Sequence, residues 1–277
     1  MIEVAAHAKI NLALHVTGRR ADGYHLLDSL VALADVGDVL TFAPSDRLNL
    51  TITGNHGAGL PNGPENLILR AARALHPTLG AAITLEKNLP LSSGIGGGST
   101  DAAATLRGLC DLWNLPLPDP QTILALGADV PVCIVGSPAR MQGIGDIVTP
   151  VTLPEAWVVL VNPGEKVSTA QVFQTLETKT NPPLPALIPA FPDAQALAVY
   201  LKDQRNDLEY PAMLLCPEIA SVLFDLDARK GCLLARMSGS GATCFGLFDS
   251  EDNAYWAARM IHQSQKHWWT RVAPLVN

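Results

Sequence analysis

Apolar and polar positions alternate through "INLALHVT", which predicts an early strand. Two more strand-like runs, "DVLTFAP" and "RLNLTITG", are separated by Pro44, Ser45 and Asp46. The pattern then changes to helical spacing. Leu67, Ala71, Ala74 and Leu75 share one face in "PENLILRAARALHP", and Pro77 stops the run. "AAITLEKNLP" predicts a strand that feeds a glycine loop. Beyond the loop, Leu106, Leu109 and Leu112 predict a helix with Ser99 as its N-cap. "PQTILALGAD" predicts a short helix closed by Gly127, and "VPVCIVG" a strand. Later, "WVVLVNPG" predicts a strand, "STAQVFQTLET" a helix and "NPPLPALIPAFP" a proline-rich loop. "CLLARMSGSGATCFGLF" reads as strand, turn, strand; "EDNAYWAARMIHQ" is a helix and "WWTRVAPLV" a closing strand. Strands and helices mix without strict alternation, which predicts an α+β class rather than a doubly wound sheet. "PVTLPEAW", with Pro150 and Pro154, is the best boundary and divides the chain into 1–152 and 153–277.

Composition narrows the function classes. The 277 residues are 48% hydrophobic and 16% charged, enough to bury a sizeable core and too apolar for disorder. The net charge of -7 argues against a nucleic-acid partner. An anionic ligand requires local groups that overcome this global field. The five cysteines, at 110, 133, 216, 232 and 244, include no CxxC pair and read as small buried hydrophobes in a reducing cytosol. The histidines show no HxxxH or HExxH pairing, so zinc is not expected. "MIEVAAHAKINLALHV" carries an acid and a lysine in its apolar stretch, unlike a signal peptide, and no apolar run is long enough to span a bilayer. The expectation is a soluble cytoplasmic protein with no membrane partner.

"PLSSGIGGGSTDAAATL" (90–106) places Gly94, Gly96, Gly97 and Gly98 within five positions. Strand, glycine loop and helix N-terminus together suit a phosphate, because backbone N–H groups converge and the helix dipole adds positive potential. A Walker A loop is excluded because no lysine follows Lys87 in the loop or its helix, and GxGxxG fails because Ser99 occupies the sixth position from Gly94. A tight turn with a capping serine is the structural alternative, weakened by so many glycines followed by two hydroxyls.

This loop resembles the second motif of the GHMP kinases, which phosphorylate small-molecule alcohols with ATP. "AKINLALHVTGRRADGYHLLDSL" (8–30), "PENLILRAA" (64–72), "GADVPVCI" (127–134), "NDLE" (206–209) and "MSGSGATCF" (237–245) resemble, in order, one branch of that superfamily. Members of that branch act on a cytidyl diphosphate sugar alcohol of isoprenoid precursor synthesis. Ser92 and Ser93 stand where smaller residues are usual, and Thr100 where serine is usual. The resemblance implies a two-domain fold, with an N-terminal domain like domain 2 of ribosomal protein S5 and a C-terminal ferredoxin-like α/β sandwich. It implies ATP and Mg²⁺ as cofactors and a monomer or weak homodimer. Another alcohol, such as homoserine or mevalonate, and a non-catalytic sensor are the alternatives; "ADGYH" and "NDLE" argue against the first, and the presence of Lys9 and Asp129 against the second.

The resemblance also assigns roles. Asp129, which by itself reads as turn chemistry at a bend before Pro131, becomes the base for the substrate hydroxyl proton. Lys9, in an otherwise apolar strand, becomes the lysine that pairs with that aspartate. Pro90, Gly94, Gly96, Gly97 and Gly98 form the nucleotide loop; Ser99 and Thr100 are candidates for phosphate and Mg²⁺ contact. Asp101 is expected only to suit the helix dipole. Asn66 is a candidate for the nucleotide base, or an N-cap. Asn11, Tyr24, His25, Phe173 and Gly239 are candidates for the substrate, with Tyr24 stacking on the cytosine, His25 hydrogen bonding to it and Phe173 on its other side. Gly239 and Gly241 also fit a hairpin turn.

Overall fold

The structure is a computed structural model and describes residues 1–276. Packing divides the chain into two units that interleave in sequence. The first comprises Met1–Ala8, Val36–Leu91 and Gly96–Gly136; the second comprises Lys9–Asp35, Ser92–Ile95 and the chain from Ser137 onward. Two long strands, β1 (Ile2–Arg19) and β2 (His25–Pro44), contribute residues to both.

In the first unit, β3 (Asn49–Thr53) is followed by α1 (Leu67–Leu75) and β4 (Ala81–Glu86), then by α2 (Gly97–Trp113), α3 (Pro120–Leu126) and α4 (Val130–Val135). β3 and β4 are parallel, with α1 as the crossover that parallel pairing needs. β4 pairs antiparallel with the second half of β2, from Val39 opposite Glu86 to Pro44 opposite Ala81. Leu40, Phe42, Ile83 and Leu85 from the strands meet Ile68, Ala72, Ala104 and Leu109 from the helices in one core. Small residues along α2 let it approach closely. A methyl group at Gly108 would lie 2.3 Å from the Phe42 ring.

The second unit continues with β5 (Ala139–Gly143), β6 (Ile147–Pro150), β7 (Trp157–Asn162) and α5 (Thr169–Thr175). Three helices follow, α6 (Ala194–Lys202), α7 (Glu209–Leu215) and α8 (Glu218–Asp227), and then β8 (Leu234–Met237), β9 (Cys244–Phe248), α9 (Glu251–Ser264) and β10 (Trp269–Val276). An antiparallel sheet runs in the order β10-β7-β9-β8. The first half of β2 pairs with β5 and, at Ala34 opposite Leu275, with β10. Its own core joins Val159, Val161 and Phe248 of the sheet to Val222, Leu226, Ala254 and Ile261 of α8 and α9.

The α+β class holds, and most predicted elements are present. "VPVCIVG" is the exception: it forms the helix α4, not a strand. A short apolar run has no period long enough to separate the two, and Pro131 in the first turn has no N–H to lose there. Ser99 is not the N-cap of α2. Its N-cap lies three residues earlier, at Gly96, in the left-handed region at φ 67°. Gly127 does close α3, but with φ 164°, extended rather than left-handed. The β5–β6 hairpin and α6 to α8 went unpredicted; Asp193, which accepts from Ala196 N, was the available signal for α6.

Gly108→Ala is expected to lower stability by about 1–3 kcal/mol despite alanine's better helix propensity, because Phe42 has no space to move into. Chemical denaturation checks this, and Phe42→Leu in the same chain should recover much of the loss.

Candidate active site

The glycine loop earns its glycines one at a time. Gly94, at φ 77°, lies so close to the 238–241 turn that a methyl group there would sit 2.5 Å from Ser238 O. Gly96 supplies the left-handed turn from which α2 starts. A methyl group on Gly97 would meet Lys87 Nζ at 3.0 Å. Gly98 differs: it is exposed, its φ is not positive, and a methyl group there would meet nothing within 4 Å. The chain itself has no steric use for glycine at 98, where alanine would favour the helix. Gly96 brings no capping side chain to the first N–H groups of α2, an arrangement suited to an anion.

Beneath this helix start lies a charged cluster that sequence reasoning missed. Lys87 donates to Asp38 Oδ2 and, at 2.7 Å, to Asp101 Oδ2, and all three side chains are buried. Asp38 Oδ1 accepts from Asn88 N and Leu89 N, whereas Asp101 Oδ1 is buried with no hydrogen-bond partner. Burial works against the Lys87 ammonium, but Asp101 and Asp38 outweigh it and raise its pKa. Burial pushes the Asp101 carboxyl up; Lys87 pulls it back and Asp38 adds to the rise, leaving it at about 7. One ammonium cannot satisfy two carboxylates, and the one with an unpartnered oxygen keeps the proton. Asp101 is therefore part of the loop's foundation rather than a dipole-suited surface acid. Lone charges in the apolar strand runs "GDVL" and "TLEKN" were the available signal.

Asp129 occupies the N-cap position of α4, half-buried, in a turn at φ -88° and ψ -10°, and Val130, the residue before Pro131, is the first residue of the helix rather than extended. α4 runs beside α2, joined by Arg107 Nη1 donating to Cys133 O at 2.8 Å. Ser99 Oγ is 4.0 Å from the methyl position of Gly127, which brings the start of α2 near the turn that carries Asp129. Thr100 Oγ1 donates to Gly97 O at 3.0 Å. Asn66 caps α1 by accepting from Ile68 N and donates to Pro61 O, so its amide serves the framework. Pro90 lies in the link between β4 and α2.

In the second unit, Lys9 is buried and donates to Asn11 Oδ1 at 2.8 Å. Asn11 donates through Nδ2 to Ser29 Oγ, and its backbone N–H donates to Ser238 Oγ. Ser238 Oγ donates to Gly94 O, and Gly239, at φ 56°, places its methyl position 3.3 Å from Asn11 Oδ1. Lys9, Asn11, Gly94 and Gly239 are thus one assembly. The 206–209 motif braces it: Asn206 donates to Met237 O and Gly239 O, and Glu209 accepts from Met237 N. Phe173 stacks directly on His25, centroids 4.6 Å apart, rather than across a gap from Tyr24. Tyr24 stands 60% exposed at the β1–β2 turn. His25 Nε2 is buried without a partner, and burial, then Arg19 and Lys179, lower the ring's pKa.

Two family models match the chain: "GHMP kinases N terminal domain" over residues 66–151 and "GHMP kinases C terminal" over 187–266. The 4-diphosphocytidyl-2-C-methyl-D-erythritol kinase of Cereibacter sphaeroides is 56% identical over 278 residues, covering 100% of both chains. That of Ruegeria pomeroyi is 54% identical, covering 97% of each. A crystal structure of 4-(cytidine 5'-diphospho)-2C-methyl-D-erythritol kinase superposes with a TM-score of 0.81 at 34% identity over 100% of both chains. The homoserine kinase of Cytophaga hutchinsonii, at 19% identity and a TM-score of 0.65 over 99% of this chain and 97% of its own, shares the fold.

The Asp101 carboxyl has a higher pKa folded than unfolded, so it stabilises the fold when protonated. That contribution is complete below about pH 4 and is lost as pH rises through about 7. Lys87, raised from an already high value, does not titrate in this window. The melting temperature of the wild type should therefore fall relative to Asp101→Asn between about pH 5 and pH 8. A difference that stays constant across that range rules out the proton.

Proposed function

This chain belongs to the GHMP kinases, and on that premise we propose how its residues carry out phosphoryl transfer. The chain is an ATP-dependent kinase that phosphorylates the 2-hydroxyl of 4-diphosphocytidyl-2-C-methyl-D-erythritol in isoprenoid precursor synthesis. Segments 1–152 and 153–277 correspond to its N- and C-terminal family domains.

The observation that carries the mechanism is Gly98, a helical glycine facing open space. The triphosphate lies against α2 there, where any side chain would intrude on backbone approach, and the uncapped N–H groups and the Ser99 hydroxyl hold its oxygens. Asp129 accepts the proton of the substrate hydroxyl as that oxygen attacks the terminal phosphorus. Lys9, oriented by Asn11, steadies the charge that develops on the phosphoryl oxygens. Among the described residues no cluster of His, Cys, Asp and Glu forms a metal cage. Mg²⁺ accompanying the nucleotide would be held mainly by phosphate oxygens and water, with the Ser99 hydroxyl beside it. When bound it supplies neutralisation of the phosphate charge.

For the second substrate, the exposed Tyr24 ring offers a stacking face for cytosine, and His25, kept neutral by burial, hydrogen bonds to the base edge. Phe173 supports His25 from behind. No helix among the described residues is long and apolar enough to cross a membrane. The chain is read as a cytoplasmic monomer or weak homodimer.

Gly98→Ala should separate loop function from loop structure. Stability should stay level or rise by up to about 1 kcal/mol, while the KM for ATP rises. An unchanged KM for ATP refutes phosphate approach at this position. Asp129→Asn should keep the fold and ATP binding by calorimetry while turnover falls by roughly 10²- to 10⁴-fold. Turnover near that of the wild type removes Asp129 as the base.

A further inference from the structure

The proline-rich segment after α5 has no strand or helix of its own, so its carbonyls need donors from elsewhere. Arg140 on β5 supplies them. Its Nη1 donates to Pro185 O at 2.9 Å and Ala186 O at 3.0 Å, and its Nη2 to Leu184 O at 3.1 Å. The remaining two donors, Nε and the second hydrogen of Nη2, go to Asp28 Oδ1 and Oδ2 at 2.8 and 2.6 Å. Every guanidinium N–H is used, which no lysine could reproduce. Asp28 is buried and also accepts from Leu184 N at 3.1 Å. Asn181 N donates to Val16 O at 3.0 Å, and Arg205 Nη2 to Pro182 O at 3.0 Å.

Two features connect this strap to substrate binding. Asp28 lies on β2 three residues after His25, and the strapped segment begins shortly after Phe173 on α5. At its other end α5 is held by Thr169 Oγ1 and Ser240 Oγ, 2.7 Å apart. The strand that carries His25 and the helix that carries Phe173 are therefore tied together by one ion pair and a short length of chain. We propose that Arg140, through Asp28 and the 181–186 strap, is a positioning residue for the cytidyl substrate: it fixes Phe173 against His25 and so sets how the base is held. This rests on the reading of His25 and Phe173 as the support of the base site.

The test uses Arg140→Lys, Phe173→Ala and the double variant of the full chain, with KM and kcat measured separately for the two substrates. Arg140→Lys should raise the KM for 4-diphosphocytidyl-2-C-methyl-D-erythritol about five- to tenfold, with the KM for ATP within about twofold. Its preference for the cytidyl alcohol over a uridyl analogue should fall in step. The double variant should be no worse than Phe173→Ala alone, because both changes act through one ring. If Phe173→Ala leaves the KM for the cytidyl alcohol unchanged, the base-site reading fails. If it raises that KM while Arg140→Lys lowers only the melting temperature, the strap is purely structural and the proposal falls. Should Arg140→Lys not fold, Asp28→Asn takes its place, with the same outcomes deciding.

Discussion

A helix start that is to receive an anion must leave its first N–H groups uncovered, and on the proposed reading the start of α2 meets that requirement. In this unit Asn66 caps α1 and Asp119 caps α3 through a side-chain oxygen, whereas α2 and α4 have no side-chain cap. Of those two, α2 begins on the left-handed Gly96 with two more glycines in its first turn. The lost cap costs about 1 kcal/mol, and each helical glycine up to about as much again. The compensation comes from beneath. Residues 100–106 are all buried, and Lys87 grips the helix start between Asp38 and Asp101. A surface ion pair contributes little, but this one is buried, and removing one member would leave an uncompensated charge.

The second unit solves a different problem, holding irregular chain in fixed positions. Residues 92–95 are laid against the turn between β8 and β9. Thr243 N donates to Ser93 O, Lys9 N to Ile95 O and Ser238 Oγ to Gly94 O. The glycines at 94 and 239 are required here by backbone-to-backbone contact. Arg236, buried, donates to the carbonyls of Leu12, Leu201 and Gln204, as Arg140 does to those of 184–186. Planar forks satisfy several fixed carbonyls at once, and so irregular chain becomes as well placed as a strand.

Much of this was legible in the sequence because local pattern and global fold agree. The alternating runs of β3 and β4, the apolar runs of β7 and β9 and the helical spacing of α1 and α9 each stated their element without help from the rest of the chain. The glycine loop suggested a phosphate site in the sequence, but which glycines the fold itself requires could not be read there. Gly94 and Gly97 face protein atoms and Gly98 faces none, a distinction that only packing makes. "VPVCIV" failed because six apolar residues are too few to show a period. The Asp38–Lys87–Asp101 cluster was hidden because its members lie 49 and 14 residues apart along the chain.

These features explain how a chain of net charge -7 handles two anionic substrates. Apart from Lys9, its buried cations are committed to the fold. Lys87 is spent on two aspartates, and Arg140 and Arg236 on carbonyls and Asp28. On the proposed reading, what remains for the triphosphate beside Lys9 is chiefly backbone: the N–H groups of α2 and the dipole behind them. Such donors carry no net charge, so they do not alter the acidic balance of the surface, and their position is set by the fold rather than by a flexible side chain. For the cytidyl alcohol, the proposed site replaces charge with aromatic surface, because a flat base can be held by stacking and edge hydrogen bonds that are indifferent to the global field. An acidic kinase can therefore bind anions through preorganised geometry, on the condition that the glycine loop and the His25–Phe173 stack are held rigidly from behind.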